Sequence, residues 1–353
     1  MQAPTLIVLN GTCLDVVDSQ RAWIESLGVK LLAEPWYRNA DAAQIRALCQ
    51  QADAVILPAS VRSAPLEADM IAAPRLKVCA IAASGFEWLD VAAATRHGIV
   101  VTNAPGGQGA EVVAEIAWGL MLAAARQIPH HHILLSRGDM TRGIGTMVSG
   151  KTLGIVGIGA IGKEVALRAR GWRMRVIAHD PWADMNFVHE HGIELVDFQT
   201  LLKESDFVSL HVRLNEQTRG MIGREQIAMM KPTAFIINAA RKELVDEAAL
   251  VEAILEKRLG GAGLDDPPGE GGKKLFGLPN VVFTTHLGNR AVEGMIAVFR
   301  SAVESAVTAL RGQRPKFVVN PEVYQSSALR LKQAQVWQAG SCPPQDAAEP
   351  SKV

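Results

Sequence analysis

The sequence predicts an α/β protein built on parallel sheets, and three observations lead to that class. Short apolar runs without helical spacing recur along the chain, as in strands buried on both faces. Segments with helical spacing separate those runs, as crossovers between parallel strands require. One run, at 153–158, passes straight into a glycine-rich turn that opens a helix. With 353 residues, 48% of them hydrophobic and 20% charged, the chain is long enough for two domains with their own cores. Its formal net charge is zero and it has no lysine and arginine block, so binding to nucleic acid or to an anionic membrane has no support.

The N-terminal MQAPTLIVLNG has an apolar run only at 6–9 and no charged leader, which reads as a first strand rather than a signal peptide. A cytoplasmic location is therefore expected. Cys13, Cys49, Cys79 and Cys342 form no C-x-x-C pair, in keeping with reduced thiols. Strands are expected at 6–9, 29–32, 54–57, 77–82 and 99–101, with helices around 21–27 and 42–49. Residues 1 to about 102 make one α/β unit on this reading.

The segment 109–126 then forms a helix. Its apolar residues Val112, Val113, Ile116, Ala117, Leu120 and Met121 are too many for one stripe, so it is buried on several sides, between domains or against a second subunit. His130, His131 and His132 follow, but successive residues on a helix point about 100° apart and cannot converge on one ion. No metal is expected.

Residues 151–180 organise the chain. The run 153–158 leads into Gly157-Ile-Gly159-Ala-Ile-Gly162, a helix at 160–170 and a strand at 175–179. The demand at each glycine differs. Gly157 permits a tight turn, Gly159 lets the backbone approach a pyrophosphate, and Gly162 lets the helix pack on the strand. Free N–H groups at the helix start, at Ala160 and Ile161, would face the anion. Asp180 follows Gly157 by 23 positions (180 minus 157), where a carboxylate accepts hydrogen bonds from the adenosine ribose. No cation follows it in Asp180-Pro-Trp-Ala183 to hold a 2'-phosphate, so NAD is expected over NADP, with Arg173 and Arg175 on the surface. Further strands are expected at 206–211, 234–238, 260–264 and 281–284, with a helix at 246–257, which brings this unit to six strands. A last helix at 291–310 and an extended piece at 316–320 precede a polar tail, whose final dozen residues are expected to be disordered.

Several ordered motifs together resemble the NAD-dependent D-isomer-specific 2-hydroxyacid dehydrogenase family, which includes D-3-phosphoglycerate dehydrogenase, glyoxylate and hydroxypyruvate reductases and D-lactate dehydrogenase. They are GFEWLDVAAATRHGIVVTNAPG (85–106), VVAEIAWGLMLAAAR (112–126), GIGAIG with Asp180, INAARKELVDEAAL (237–250), GAGLD (261–265) and LPNVVFTTHLGN (278–289), over about residues 50–325. The resemblance implies two doubly wound parallel-sheet domains, a Rossmann-type NAD domain (103–289) inserted into a flavodoxin-like substrate domain (1–102 and 290–325), with a tail at 326–353. It also implies a homodimer through the cofactor domains and a substrate cleft between the two domains.

The resemblance further implies roles for single residues. Arg241 matches the arginine that binds the carboxylate and carbonyl of a 2-oxo acid, a task suited to a permanently charged fork. His286 matches the acid/base histidine, and Glu270, five positions after Asp265, the carboxylate paired with it. Asp265 matches the residue that receives the nicotinamide carboxamide. Ser84 and Gly85 match the loop that cradles the substrate carboxylate. His211, Val212, Thr218, Ala239, Ala240 and Gly288 match positions that line the cofactor.

The chain departs from the family pattern in places. Asp265-Asp-Pro-Pro-Gly-Glu270-Gly-Gly-Lys-Lys replaces the usual Asp-Val-Phe-x-x-Glu-Pro and runs a few residues short to His286, which leaves Asp266 as a substitute for Glu270. Lys242 stands where a glycine usually follows the arginine, Arg213 where a proline is frequent, and Pro58 near a position where many members carry arginine. The expected activity is hydride transfer between NAD and a small D-2-hydroxy acid or its 2-oxo acid. The alternative is a non-catalytic, NAD-sensing corepressor-like protein of the same fold, which turnover of any 2-oxo acid would exclude.

Overall fold

The computed structural model describes residues 3–9, 14–33, 41–58, 73–86 and 88–331. Cys13, Cys342, the side chain of Pro58 and the tail from 332 onward lie outside the described residues. The chain divides into two compact units, 1–105 with 295–353, and 106–294.

The first unit runs β1 (Thr5–Val8), α1 (Leu14–Ser26), β2 (Lys30–Leu32), α2 (Ala42–Gln51), β3 (Ala54–Pro58), β4 (Val78–Ala82), α3 (Val91–Arg96) and β5 (Val100–Thr102). Its strands pair in parallel in the order β2-β1-β3-β4-β5, the flavodoxin-like order. Successive strand residues feed opposite faces. Ile7, Val55, Leu57, Cys79, Ile81 and Val101 fill one core, whereas Leu6, Val8, Ile56, Val78, Ala80 and Val100 face a second core. Phe299, Val303 and Val307 of the C-terminal helix Val292–Leu310 complete that second core. The piece expected to be extended at 316–320 is held by an antiparallel bridge from Val318 to Thr102 and by buried Asn320, whose Oδ1 accepts from Val101 N–H and whose Nδ2 donates to the Ile99 carbonyl. Leu331, at the start of the tail, is buried in the second core.

The second unit runs α4 (Gln108–Ala125), α5 (Ile128–Ser136), β6 (Thr152–Val156), α6 (Ala160–Ala169), β7 (Arg175–His179), α7 (Met185–Glu190), β8 (Glu194–Leu195), α8 (Phe198–Glu204), β9 (Phe207–Leu210), α9 (Arg224–Met229), β10 (Phe235–Asn238), α10 (Glu247–Leu255), β11 (Gly261–Leu264) and β12 (Val281–Phe283). Seven parallel strands lie in the order β12-β11-β10-β9-β6-β7-β8, the doubly wound dinucleotide order extended by one strand. Six strands are expected from the sequence; the seventh is β8, a two-residue edge strand exposed at both positions, with no apolar run to betray it. The topological switch point falls between β6 and β9, at the end of the strand that carries the glycine turn.

Helix α4 answers the question its composition raises. Its Ala114, Ala117, Trp118, Leu120, Met121 and Ala124 are buried within this unit, in one core with β6 and α6. The surplus apolar surface appears instead just after it. Helix α5 buries none of its residues, and Ile128, Ile133, Leu135, Met140, Ile144 and Met147 are exposed.

Candidate active site

The glycine turn has the geometry its three demands require. Gly157 has φ 90°, and a Cβ there would come within 2.8 Å of Val212 and 3.0 Å of the His211 carbonyl. A Cβ on Gly162 would lie 2.1 Å from the Gly157 oxygen. A Cβ on Gly159, by contrast, would meet nothing within 4 Å, so that side of the turn is open. Gly159 is the N-cap of α6 and supplies no side-chain acceptor, which leaves the first helical N–H groups, from Ala160 and Ile161 onward, to an incoming anion. The cradle fits a dinucleotide pyrophosphate.

Asp180 follows β7 and is fastened to that turn. Its Oδ2 accepts from Ile158 N–H at 2.9 Å and its Oδ1 from Trp182 N–H at 2.8 Å. Arg175 is engaged by Glu194 and Glu204, each at 2.6 Å, and Arg173 donates to Ser149, so both are occupied on the surface as expected. His211 follows β9, with Nε2 2.8 Å from Ser209 Oγ. Burial pushes the ring down to about 4, so it is neutral at pH 7. Thr218 closes the next loop by donating to the Arg213 carbonyl at 2.7 Å.

A second group of residues gathers past β10, β11 and β12. Buried Asn238 shapes the turn after β10. It accepts from Ala240 N–H at 3.0 Å and donates to the Arg241 carbonyl at 2.8 Å, which sets the course of Ala239, Ala240 and Arg241. Asp265, only 2% exposed, accepts from the Thr284 hydroxyl at 2.5 Å, Leu287 N–H at 2.7 Å and Gly288 N–H at 2.7 Å. Those bonds bracket His286, whose backbone takes φ 63°, a left-handed conformation uncommon for a residue with a side chain. Asp265, for which the resemblance implies a contact with the nicotinamide carboxamide, holds the histidine loop through these three bonds.

The carboxylate beside His286 is Asp266. Its Oδ1 lies 2.8 Å from His286 Nδ1, and its Oδ2 accepts from Lys242 N–H at 3.0 Å. Glu270, expected in that place, is 89% exposed and paired with Lys273 at 2.6 Å. The expected Glu270–His286 pair is therefore corrected to Asp266–His286. Burial acts to raise the Asp266 carboxyl, but the His286 bond and charge, the Lys242 N–H and the Arg241 charge outweigh it and hold it below the usual carboxylate range. An ionised carboxylate only accepts, so the His286 proton sits on Nδ1 and Nε2 is left for chemistry.

Ser84 and Gly85 lie in the first unit, just past β4, where the Ser84 carbonyl accepts from Asn103 Nδ2 at 2.8 Å. No group of three or more potential metal ligands occurs among the described residues, the histidine run at 130–132 included.

A parallel seven-stranded sheet with an open glycine cradle at its switch point defines a dinucleotide-binding domain, and comparison with known proteins says which kind. The family model described as D-isomer specific 2-hydroxyacid dehydrogenase, NAD binding domain, matches residues 118–288. A glyoxylate reductase of Thermococcus litoralis is 38% identical over 266 residues, 72% of this chain and 80% of that protein. A D-3-phosphoglycerate dehydrogenase of Methanocaldococcus jannaschii is 42% identical over 268 residues, 74% of this chain but 51% of the relative, so the chain spans about half of that longer protein. The NAD-complexed D-isomer specific 2-hydroxyacid dehydrogenase of Lactobacillus delbrueckii ssp. bulgaricus superposes with a TM-score of 0.76 at 26% identity, over 90% of this chain and 100% of that one. The chain belongs to the D-isomer-specific 2-hydroxyacid dehydrogenase family. Its cofactor is NAD.

Proposed function

We propose that this protein interconverts a small 2-oxo acid and its D-2-hydroxy acid, with Arg241, His286 and Asp266 as the reacting machinery. The observation that carries the reading is the 2.8 Å contact of His286 Nδ1 with Asp266, which leaves Nε2 as the proton-transferring atom. Bound NADH supplies the hydride that adds to the carbonyl carbon. His286 gives its Nε2 proton to the carbonyl oxygen as charge develops there, and Asp266 stabilises the imidazolium before transfer. Arg241 holds the substrate carboxylate through its two-pronged guanidinium. In the oxidative direction the neutral ring takes the hydroxyl proton back. On this reading 106–294 is the cofactor-binding part, and the unit that carries Ser84 and Gly85 is the substrate-binding part.

Screening NADH oxidation against glyoxylate, hydroxypyruvate, pyruvate and 3-phosphohydroxypyruvate tests the reading. Turnover with at least one is expected, and none with any of them overturns it.

The same reading includes a homodimer in the cytoplasm. The exposed apolar residues of α5 and the segment to Met147 support self-association, because so many large apolar side chains left in water within one short stretch are covered at an interface. Sedimentation equilibrium at micromolar concentration should give twice the 37.9 kDa chain mass. A clean monomer would remove the dimer from the proposal.

A further inference from the structure

The loop from Asp266 to Leu275 is where this chain departs from its family's pattern, and the structure gives a physical reason for the exchange of one carboxylate for another. Pro267 and Pro268 follow Asp266 directly, with fixed φ and no N–H to donate. Beyond them, Gly269 N–H donates to Glu247 Oε2 at 2.6 Å and Gly272 N–H to Glu247 Oε1 at 3.0 Å. Glu247 is the first residue of α10, whose N-cap is Asp246, so the anchor sits on a regular element. The two glycines are matched to it. A Cβ on Gly269 would lie 2.8 Å from Glu247 Oε1, and one on Gly272 would lie 2.8 Å from Glu247 Cδ and 2.7 Å from the Pro268 side chain.

Because the residues on both sides turn their N–H groups toward α10, the intervening Glu270 is carried outward to solvent. Asp266, at the root of the same loop, is left facing His286. Glu247, Asp266, Lys242 and Pro268 line one small cavity between the loop and α10, so the anchor and the pair belong to one structural neighbourhood.

We propose that Glu247 is a positioning residue of the proton-transfer pair: it clamps the 266–272 loop on α10 so that Asp266, rather than Glu270, holds His286. The inference rests on the reading of Asp266 and His286 given above. Glu247 acts through the loop backbone and touches no reacting atom.

The test compares steady-state reduction of an accepted 2-oxo acid, over a range of pH, for the full-length protein and five variants. Asp266→Asn reads the underlying assignment; its reduction rate should fall away at lower pH than in the unchanged protein. Glu247→Ala should shift the profile in the same direction and lower kcat roughly 10-fold, the loss expected when a hydrogen bond to an ion is released, with KM for NADH unchanged. Glu247→Gln, which keeps one acceptor oxygen, should recover part of that loss. Combining Glu247→Ala with Asp266→Asn should cost little beyond Asp266→Asn alone, since both act on one interaction. Should Glu247→Ala not fold, Gly269→Ala breaks the same contact from the loop side and should shift the profile likewise.

A Glu247→Ala protein with the unchanged pH profile overturns the proposal while leaving the pair intact, as does strict additivity in the double variant. A silent Asp266→Asn overturns the pair itself, and the clamp's role with it.

Discussion

Where β1, β3 and β4 of the first unit begin, the Asp53 side chain accepts from Thr5 N–H at 3.0 Å and from Lys77 at 3.0 Å, with Arg75 added at 2.7 Å. Where β6, β9 and β10 of the second unit begin, Asp206 accepts from Thr152 N–H at 2.9 Å and from Lys231 at 3.0 Å. Threonine, aspartate and lysine thus recur at equivalent places in two sheets. At the opposite ends of the strands the units differ. In the second unit Gly157, Asp180, His211, Arg241, Asp265 with Asp266, and His286 stand just past β6, β7, β9, β10, β11 and β12 in turn. The lesson is a division of labour along the strand direction: the starting edge is tied by repeated clasps, and the carboxyl edge is left to sites that each unit builds differently.

Replacing His286 by Ala should cut the reduction rate by roughly 10² to 10⁴ fold, the usual contribution of a positioned acid, while NADH affinity measured by fluorescence titration stays near its original value. A variant that still turns over near the original rate would break the assignment of chemistry to the carboxyl edge.

Removing a clasp should do the reverse. Asp53→Ala should cost about 2 kcal/mol of stability, since it strands the Thr5 N–H and releases two partly exposed cations. Asp206→Ala should cost somewhat less. Urea melts read the loss, and kcat should not move. The pH dependence follows from the same bonds. Burial acts to raise both carboxyls, but the Thr5 or Thr152 N–H and the lysine outweigh it, so both are held below their ordinary value. A carboxyl lowered on folding stabilises the fold above its unfolded value, about 3.9, and that contribution is lost as pH falls through the folded value. The clasp variants should therefore converge with the unchanged protein in acid. A gap that persists undiminished well below pH 3 would tell against the clasp as the cause.

Smaller effects sharpen the picture at the carboxyl edge. Asp180→Ala should narrow the preference for NADH over NADPH by roughly 10-fold, the scale of one charge-assisted hydrogen bond together with a removed like-charge repulsion. Equal efficiencies in the unchanged protein would already contradict the argument. Glu270→Gln should leave rate and pH profile unaltered, because that carboxylate is solvated and paired with Lys273. A shift of the profile would return Glu270 to the role its position in the motif suggests.

Whatever depends on local stereochemistry was already legible in the order of residues. Buried parallel strands read as apolar runs, so nearly every strand could be located within a residue or two. Gly157, Gly159 and Gly162 could be given separate tasks because each task is a steric demand that only a missing Cβ meets. The place of Asp180 at the end of β7 was legible because one crossover fixes its distance from the turn. Tertiary structure decided what depends on residues far apart in the chain. Spacing narrowed the partner of His286 only to Glu270 or Asp266, since the choice follows from where Glu247 draws the N–H groups of Gly269 and Gly272. The excess apolar surface could not be assigned to its helix from composition, because α4 spends its apolar residues within its own unit and α5 does not. The bonds of Asp265 show the same limit: three donors from the 284–288 segment converge on it only when β11 and β12 lie side by side, and hydrogen bonds between neighbouring strand ends are a property of the sheet rather than of either stretch of sequence.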